Sequence, residues 1–247
     1  DFTRRSLVHN AFVSFARNVE LYTPAQISAN SFHLGQLFRS PEEVQVEELE
    51  VLVDHCVDHV EEFSSGPGIV KLLNGFTRLM LTTNRNPYVV FAARLRHRPI
   101  LHTLRKTDVT MAISAFGGAK FLDQHLFGAL ATRVTDLGHS FNAAEITLTV
   151  SGYSSVHLLN DKLYATMGHR AAEVADEFSP TAANKLLGGF ASLNLPNDDM
   201  CEKIAESFME KRPDALDGPA AAQMLHSMCR MDYMDGNHYA YLAESIC

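Results

Sequence analysis

The chain has 247 residues, of which 46% are hydrophobic and 20% are charged, and its formal net charge is −8. This composition excludes a generally disordered chain, and the acidic balance makes the molecule as a whole a poor binder of polyanions. No apolar run approaches the roughly 18 residues that a membrane-spanning helix needs.

The N-terminal segment, residues 3–20, predicts a helix because apolar residues recur there at helical intervals. These residues are Leu7, Phe12, Phe15 and Val19. Thr23 followed by Pro24 is typical of an N-cap and a first helical residue. We interpret residues 1–20 as the second helix of a repeat whose first helix precedes the chain.

Further helices are predicted along the rest of the chain. After a connector over residues 39–45, a helix runs from about Val46 to Phe63, and the glycines and proline of residues 64–68 end it. The alternating residues 146–150 could suggest a strand, but their register with residues 183–187 favours a helix. The last helix, residues 237–246, has no polar closing helix after it, so we expect a partner to cover it or the chain to have been cut there.

The helix caps repeat at nearly constant spacing. Hairpins are predicted to start near residues 23, 65, 105, 142, 179 and 217, at intervals of 42, 40, 37, 37 and 38. A bulky apolar residue follows each cap by eleven positions: Leu34, Phe76, Phe116, Tyr153, Phe190 and Met228. Arg105 is a poor capping residue, so Thr107 or Asp108 is expected to serve there. This periodicity predicts an all-α fold, an α-solenoid of about six helical hairpins in a single domain over residues 1–247.

Charge is separated along the chain. Residues 42–62 hold nine carboxylates and no lysine or arginine, whereas residues 63–107 hold no carboxylate. The second stretch contains eight basic residues: Lys71, Arg78, Arg85, Arg94, Arg96, Arg98, Arg105 and Lys106. We predict that these eight residues bind RNA, because arginine forks fit phosphate groups and each neutralised phosphate adds salt-sensitive affinity. Tyr88 and His97 could offer rings for base stacking.

The same charge pattern allows a second interpretation. The acidic repeat could pair with the basic one, or the basic surface could meet an acidic protein. The chain would then be a protein–protein scaffold without RNA contact, like many HEAT or armadillo repeats.

Several other motifs could suggest a metal, nucleotide or catalytic site, but their residues favour structural roles. His55 and His59 share a helix face, with the spacing that the zinc ligands of metalloproteases have. The catalytic glutamate of that motif is absent, however, and Cys56 belongs to the apolar stripe of the helix. We therefore predict that the histidine pair lies on a solvated face and that there is no metal site. Residues 116–120 lack the spacing of a phosphate loop and are interpreted as a turn. The glycine pairs 117–118 and 188–189 predict close helix packing. With no convergent catalytic set, we predict no enzymatic activity, no cofactor, no small-molecule substrate and no membrane contact.

The four cysteines, at positions 56, 201, 229 and 247, form no Cys-x-x-Cys pair. We expect reduced thiols, which suit an intracellular or organelle-matrix protein. Because the chain begins at Asp1, we also expect a processed or trimmed product that has already lost any targeting peptide.

Residues 179–193 resemble the first helix of heptatricopeptide and octotricopeptide repeats, which also occur in RAP-domain proteins; the run reads SPTAANKLLGGFASL. The helices that start after Asn142 and Asp217 look like the same unit. The resemblance implies a protein of mitochondria or chloroplasts that acts on organellar RNA in processing, editing, stability or ribosome assembly. It also implies other protein subunits of a large ribonucleoprotein as partners, and we expect the mitochondrial matrix as its location.

Overall fold

The computed structural model describes residues 2–38, 44, 46–79, 84–211 and 216–246, and every regular element among them is helical, as predicted. The α-helices are α1 (Phe2–Arg17), α2 (Pro24–Leu37), α3 (Val46–Asp58), α4 (Gly66–Arg78), α5 (Asn86–Leu95), α6 (Arg98–Leu101), α7 (Lys106–Gly118), α8 (Gln124–Leu137), α9 (Ala143–Ser155), α10 (Asp161–Glu173), α11 (Pro180–Ser192), α12 (Asp198–Lys211), α13 (Gly218–Arg230) and α14 (Gly236–Glu244). Short 3-10 turns follow four of them, at Val19–Leu21, Val60–Glu62, Gly138–Ser140 and Ala175–Glu177.

The predicted caps begin the helices. The side chains of five of them accept a hydrogen bond from the amide three residues on: Thr23, Ser65, Asn142, Ser179 and Asp217. Helix α7 corrects the prediction, because Arg105 itself is the N-cap and neither Thr107 nor Asp108 takes that place. The Arg105 amide donates to Asp108 Oδ2 at 3.0 Å, so a first-turn carboxylate supports a start that has no capping hydroxyl.

The bulky residues eleven places after the caps lie in the core. Their side chains are between 0 and 8% exposed, which confirms the apolar part of the repeat: Leu34, Phe76, Phe116, Tyr153, Phe190 and Met228. Leu7 departs from the predicted face of α1, since it is 66% exposed while Phe12 is fully buried.

Two compact units make up the chain, residues 1–130 and residues 131–247. In the first unit, α2, α4 and α7 pack side by side in one layer, and α1, α3 and α5 form a second layer. In the second unit, α9, α11 and α13 form one layer, and α10, α12 and α14 form the other. We call the helices that follow the six caps the first helices. Each unit is a solenoid-like stack in which one hairpin buries its apolar face against the next.

Neighbouring first helices meet with one register in both units. A Cβ atom built on Gly75, ten residues after its cap, would lie 2.5 Å from the carbonyl oxygen of Ser31, eight residues after the preceding cap. A Cβ atom on Gly189 would lie 2.5 Å from Val150 Cγ1, and those positions are again ten and eight residues after their caps. The hairpins therefore stack by the same rule in each unit.

A second contact follows the same register in the second unit. Thr147 Oγ1, five residues after its cap, donates to the carbonyl oxygen of Ala182 at 3.4 Å. Asn184 Nδ2, five residues after the next cap, donates to the carbonyl oxygen of Ala220 at 3.0 Å. In both pairs the acceptor lies three residues after the following cap, so a polar side chain ties each first helix to the next.

The glycines of the two predicted pairs differ in how closely they pack against other helices. Close packing is confirmed at Gly189 and at Gly118, whose built Cβ atom would lie 2.7 Å from Thr77 Cγ2, but nothing lies within 4 Å at Gly188. The predicted turn over residues 116–120 is only partly correct. Helix α7 continues through Gly118, and the chain turns at Lys120, which has a positive φ of 49°.

Two cysteines are core residues. Cys56 and Cys201 are fully buried free thiols, and burial raises the pKa of Cys201 to about 12 and raises the pKa of Cys56 as well. Cys229 is free and exposed, and Cys247 lies outside the described residues. Within the described ranges, no helix combines the length and the apolar character needed to cross a bilayer.

Candidate nucleic-acid interface

The eight predicted RNA-binding residues lie on four helices and at helix ends of the first unit. Lys71 and Arg78 are on α4, Arg94 is on α5, Arg85 and Arg96 flank α5, Arg98 begins α6, Arg105 caps α7, and Lys106 begins α7. The packing of these helices therefore decides which of the eight basic side chains lie near one another.

Three of the eight come to one edge of the first unit. Gly66, the first residue of α4, packs against the connector before α7: a Cβ atom built on it would lie 2.8 Å from the carbonyl oxygen of Ile100 and 2.9 Å from Leu104 Cδ2. The start of α4 therefore lies beside the end of α6 and the start of α7. We call the basic residues at this edge the edge cluster: Arg98, Arg105 and Lys106. Lys71 lies elsewhere on α4, where it lines a groove shared with α2.

Arg78 and Arg85 lie apart from the edge cluster. Arg78 is the last residue of α4, twelve residues after Gly66, which corresponds to about 18 Å along the helix axis. Its Nε atom donates to Asn74 Oδ1 at 3.0 Å. Arg85 precedes α5 at the same end of the hairpin. Arg78 and Arg85 therefore lie at the opposite end of α4 from the edge cluster.

Arg94 is bound inside the protein. Its Nη1 atom donates to Glu61 Oε2 at 2.7 Å, Nη2 donates to the Glu61 carbonyl oxygen at 2.9 Å, and Nε donates to the Phe63 carbonyl oxygen at 3.1 Å. The side chain is only 20% exposed. This guanidinium joins the second helix of its hairpin to the connector before α4, so we leave Arg94 out of the candidate interface.

Arg170 makes the equivalent contact in the second unit. Its Nε atom donates to the carbonyl oxygen of Phe141, just before α9, at 2.9 Å, and its Nη1 atom donates to Glu173 Oε2 at 2.7 Å. That second bond lowers the pKa of Glu173. Arginine recurs at this repeat position, at 94, 133 and 170, which are 39 and 37 residues apart. This recurrence is a sequence signal of a structural arginine, and a count of charges alone misses it.

Ion pairs within the protein engage some of the carboxylates of residues 42–62. Besides the Arg94–Glu61 pair, Arg17 Nη2 lies 2.8 Å from Oε1 of Glu48, whose side chain is 7% exposed. Arg96 is closer to solvent: its Nη1 atom lies 3.6 Å from Asp123 Oδ2, and its side chain is 39% exposed. Internal pairing, the second interpretation of the charge pattern, is thus realised for some of the charged residues.

Tyr88 cannot stack on a base, and that prediction is wrong. Its side chain is 1% exposed and packs against the rings of Phe116 and Phe121. Its hydroxyl group lies 2.9 Å from Thr77 Oγ1, and burial raises the pKa of Tyr88 to about 12. His97 is exposed at the start of α6, so its stacking role stays a prediction.

The histidine pair on α3 packs against itself. The rings of His55 and His59 stack with centroids 4.3 Å apart, and Nδ1 of His59 lies 2.9 Å from the His55 carbonyl oxygen. Burial, followed by the repulsion of His59, lowers the pKa of His55. Among the described residues, no group of three or more histidine, cysteine or carboxylate side chains is placed to hold a metal ion.

A comparison with known families gives one result. The model of a family described as RNA-editing substrate-binding complex 6 protein matches residues 51–246. The matched range includes the whole basic segment, most of the first unit and nearly all of the second unit. No curated protein matches the chain. The resemblance to heptatricopeptide, octotricopeptide and RAP-domain proteins stays a prediction.

Proposed function

Since the chain belongs to the RNA-editing substrate-binding complex 6 protein family, we propose that it is a helical-repeat subunit of a mitochondrial ribonucleoprotein assembly that edits RNA. In this proposal it binds RNA backbone and protein partners in the matrix, and it acts as a binding subunit without catalytic activity of its own. The family supports the editing assembly, and the edge cluster supports contact with the RNA backbone.

The edge cluster carries the RNA part of the proposal because the first helices of its unit hold little negative charge. Among the described residues of α2, α4 and α7, Asp108 is the only carboxylate, and it accepts a hydrogen bond from the Arg105 amide. The acidity of the chain is concentrated elsewhere: α3 and α12 together hold ten of its 29 carboxylates. A net charge of −8 is therefore compatible with a local basic surface.

Neutralising the edge cluster is expected to weaken RNA binding and flatten its salt dependence. We expect the double substitution Arg98→Gln and Arg105→Gln to lower the affinity for single-stranded RNA on the order of tenfold, because each arginine supplies a charge-assisted phosphate contact. The slope of log affinity against log salt should fall by about 1.4, which is roughly 0.7 per lost contact. Fluorescence anisotropy over a salt series measures both quantities.

The matched control is the double substitution Arg78→Gln and Arg85→Gln, which removes the same charge at the other end of the hairpin. It should change the affinity less than the edge-cluster pair does. Equal losses from the two pairs would indicate a general charge effect, and an unchanged affinity in the edge-cluster pair would contradict the RNA contact.

The second candidate function is a protein scaffold without RNA contact, which the internal Arg94–Glu61 and Arg17–Glu48 pairs favour. Nuclease treatment of the purified assembly discriminates between the two. An RNA-tethered subunit should dissociate when the RNA is degraded, whereas a scaffold should remain with its protein partners. Quantitative mass spectrometry of the retained subunits gives the result.

A further inference from the structure

A groove of about 410 Å³ opens between the N-terminal ends of α2 and α4, inside the first unit. Thr23, Ser28, Ser65 and Lys71 contribute polar side chains to its lining, and Glu62 contributes a carboxylate. Much of the remaining wall is formed by prolines, alanines and a phenylalanine. The groove is thus apolar with a few converging polar groups, as ligand sites usually are.

The positive ends of two helices meet at this groove. Helices α2 and α4 have 14 and 13 residues, and both begin there, after the caps Thr23 and Ser65. A helix start carries partial positive charge and favours an anion. Lys71, at the same groove, adds a full positive charge.

A buried hydroxyl group without a partner gives the second, independent indication of a ligand. Ser28 is 2% exposed, and its Oγ atom has no hydrogen-bond partner among the described residues. It stands five residues after its cap, where Thr147 and Asn184 each bond to the next first helix. At Ser28 this bond is missing, so the donor remains available.

Gly68 leaves open the space that the Ser28 hydroxyl group faces. A Cβ atom built on Gly68 would lie 3.5 Å from Ser65 Oγ and 3.6 Å from Ser28 Oγ. The two hydroxyl groups therefore border a gap that any side chain at position 68 would fill. A tetrahedral oxyanion entering this gap would meet hydroxyl donors from both helices.

We propose that this groove binds a phosphate group of the RNA backbone, with Lys71 as the counter-charge and the hydroxyl groups of Ser65 and Ser28 as donors. The inference rests on the proposed function, because RNA supplies the phosphate. The exposed Glu62 carboxylate at the groove favours a phosphodiester, which has one negative charge, over a free phosphate, which has more.

The sharpest test compares two buried serines of α2. Ser28→Ala should leave the thermal midpoint unchanged or higher, since it removes an unpaired hydroxyl group, and it should weaken RNA binding about fivefold, the size of one lost hydrogen bond. The matched control is Ser31→Ala: Ser31 is also buried with an unpaired Oγ, but it packs at Gly75, away from the groove. This control should leave RNA affinity unchanged.

Two further variants test the charge and the gap. Lys71→Gln should lower RNA affinity on the order of tenfold and reduce the salt slope by about 0.7. Gly68→Ala should fold normally, because its Cβ atom has only ordinary van der Waals neighbours at 3.4 Å or more, and should also weaken binding. Fluorescence anisotropy with the full chain and a labelled single-stranded RNA measures all of these affinities.

The outcomes separate this inference from the proposed function. If the wild-type chain binds RNA and depends on Arg98 and Arg105, but Ser28→Ala and Lys71→Gln bind normally, only the groove assignment is overturned. If the wild-type chain binds no RNA, both are overturned. A thermal-shift titration with inorganic phosphate tests the other source: stabilisation that requires Lys71, without any RNA binding, would assign the groove to free phosphate and overturn the RNA backbone as its ligand.

Discussion

Gly75→Ala is expected to destabilise the first unit by about 3 kcal/mol, the upper range for forcing extra atoms into a packed core. The added Cβ atom would lie 2.5 Å from the carbonyl oxygen of Ser31, 2.6 Å from its carbonyl carbon and 2.9 Å from the Phe32 amide nitrogen. All three are backbone atoms of α2, so no side chain can rotate away. Gly35 faces the same crossing, where its own Cβ atom would lie 2.9 Å from the Gly75 carbonyl oxygen. The helices α2 and α4 would have to separate.

Gly188→Ala is the control for this prediction, because nothing lies within 4 Å of its Cβ position in the middle of α11. There alanine should stabilise the protein by about 0.5–1 kcal/mol through helix propensity. Urea unfolding followed by circular dichroism gives the midpoints, and hydrogen exchange of peptides from α2 and α4 shows whether the loss is local. A Gly75→Ala variant as stable as the wild type would contradict the close backbone crossing.

Arg94→Met is expected to lower the free energy of unfolding by about 2 kcal/mol, because hydrogen bonds to charged groups contribute about 1.5–3 kcal/mol and one of the lost acceptors, the Phe63 carbonyl oxygen, is part-buried. The substitution keeps the aliphatic stem but leaves the carbonyl oxygens of Glu61 and Phe63 without their donors. Arg94→Lys should rescue only part of the loss, since an ammonium group cannot reproduce three bonds in a fixed fork. Urea denaturation of both variants measures these differences.

Arg98→Gln is the matched control for Arg94, since it removes the same charge from an exposed position only four residues further along the chain. Its stability should stay within about 0.5 kcal/mol of the wild type. The two arginines should also separate in RNA binding: Arg98→Gln should weaken it, and the folded Arg94→Lys variant should keep it. Normal stability with lost RNA affinity in Arg94→Met would show that Arg94 contacts RNA after all.

Local features of this fold could be predicted from residue types alone. A side chain such as Ser179 accepts a bond from an amide three residues on, and this geometry depends only on nearby backbone. The apolar residues eleven places later, such as Phe190, are buried in every hairpin because helical spacing puts them on the face toward the core. The spacing also located the helix start near residue 105, although Arg105 serves as the cap there in place of the expected Thr107 or Asp108.

Contacts between elements could not be predicted in this way. Gly188 and Gly189 are neighbours of the same type, yet only Gly189 meets another helix, because a step of one residue turns the helix by about 100°. The basic segment is similar: Arg94 and Arg98 are four residues apart, but one is bound to Glu61 and the other is exposed. The spacing of charges carries no information about which partner the fold brings near.

The amino-acid sequence by itself determined that each unit is a stack of helical hairpins, which residues cap five of the six first helices and which residue types form the core. These properties follow from short-range hydrogen bonding and from the helical period, which act within one or two turns. The tertiary structure alone decided which arginines hold the hairpins together and which reach the edge near α7. It also placed the unpaired Ser28 hydroxyl group beside the gap at Gly68. These outcomes depend on the register between helices about 40 residues apart in the chain, and that register is set by how their surfaces pack.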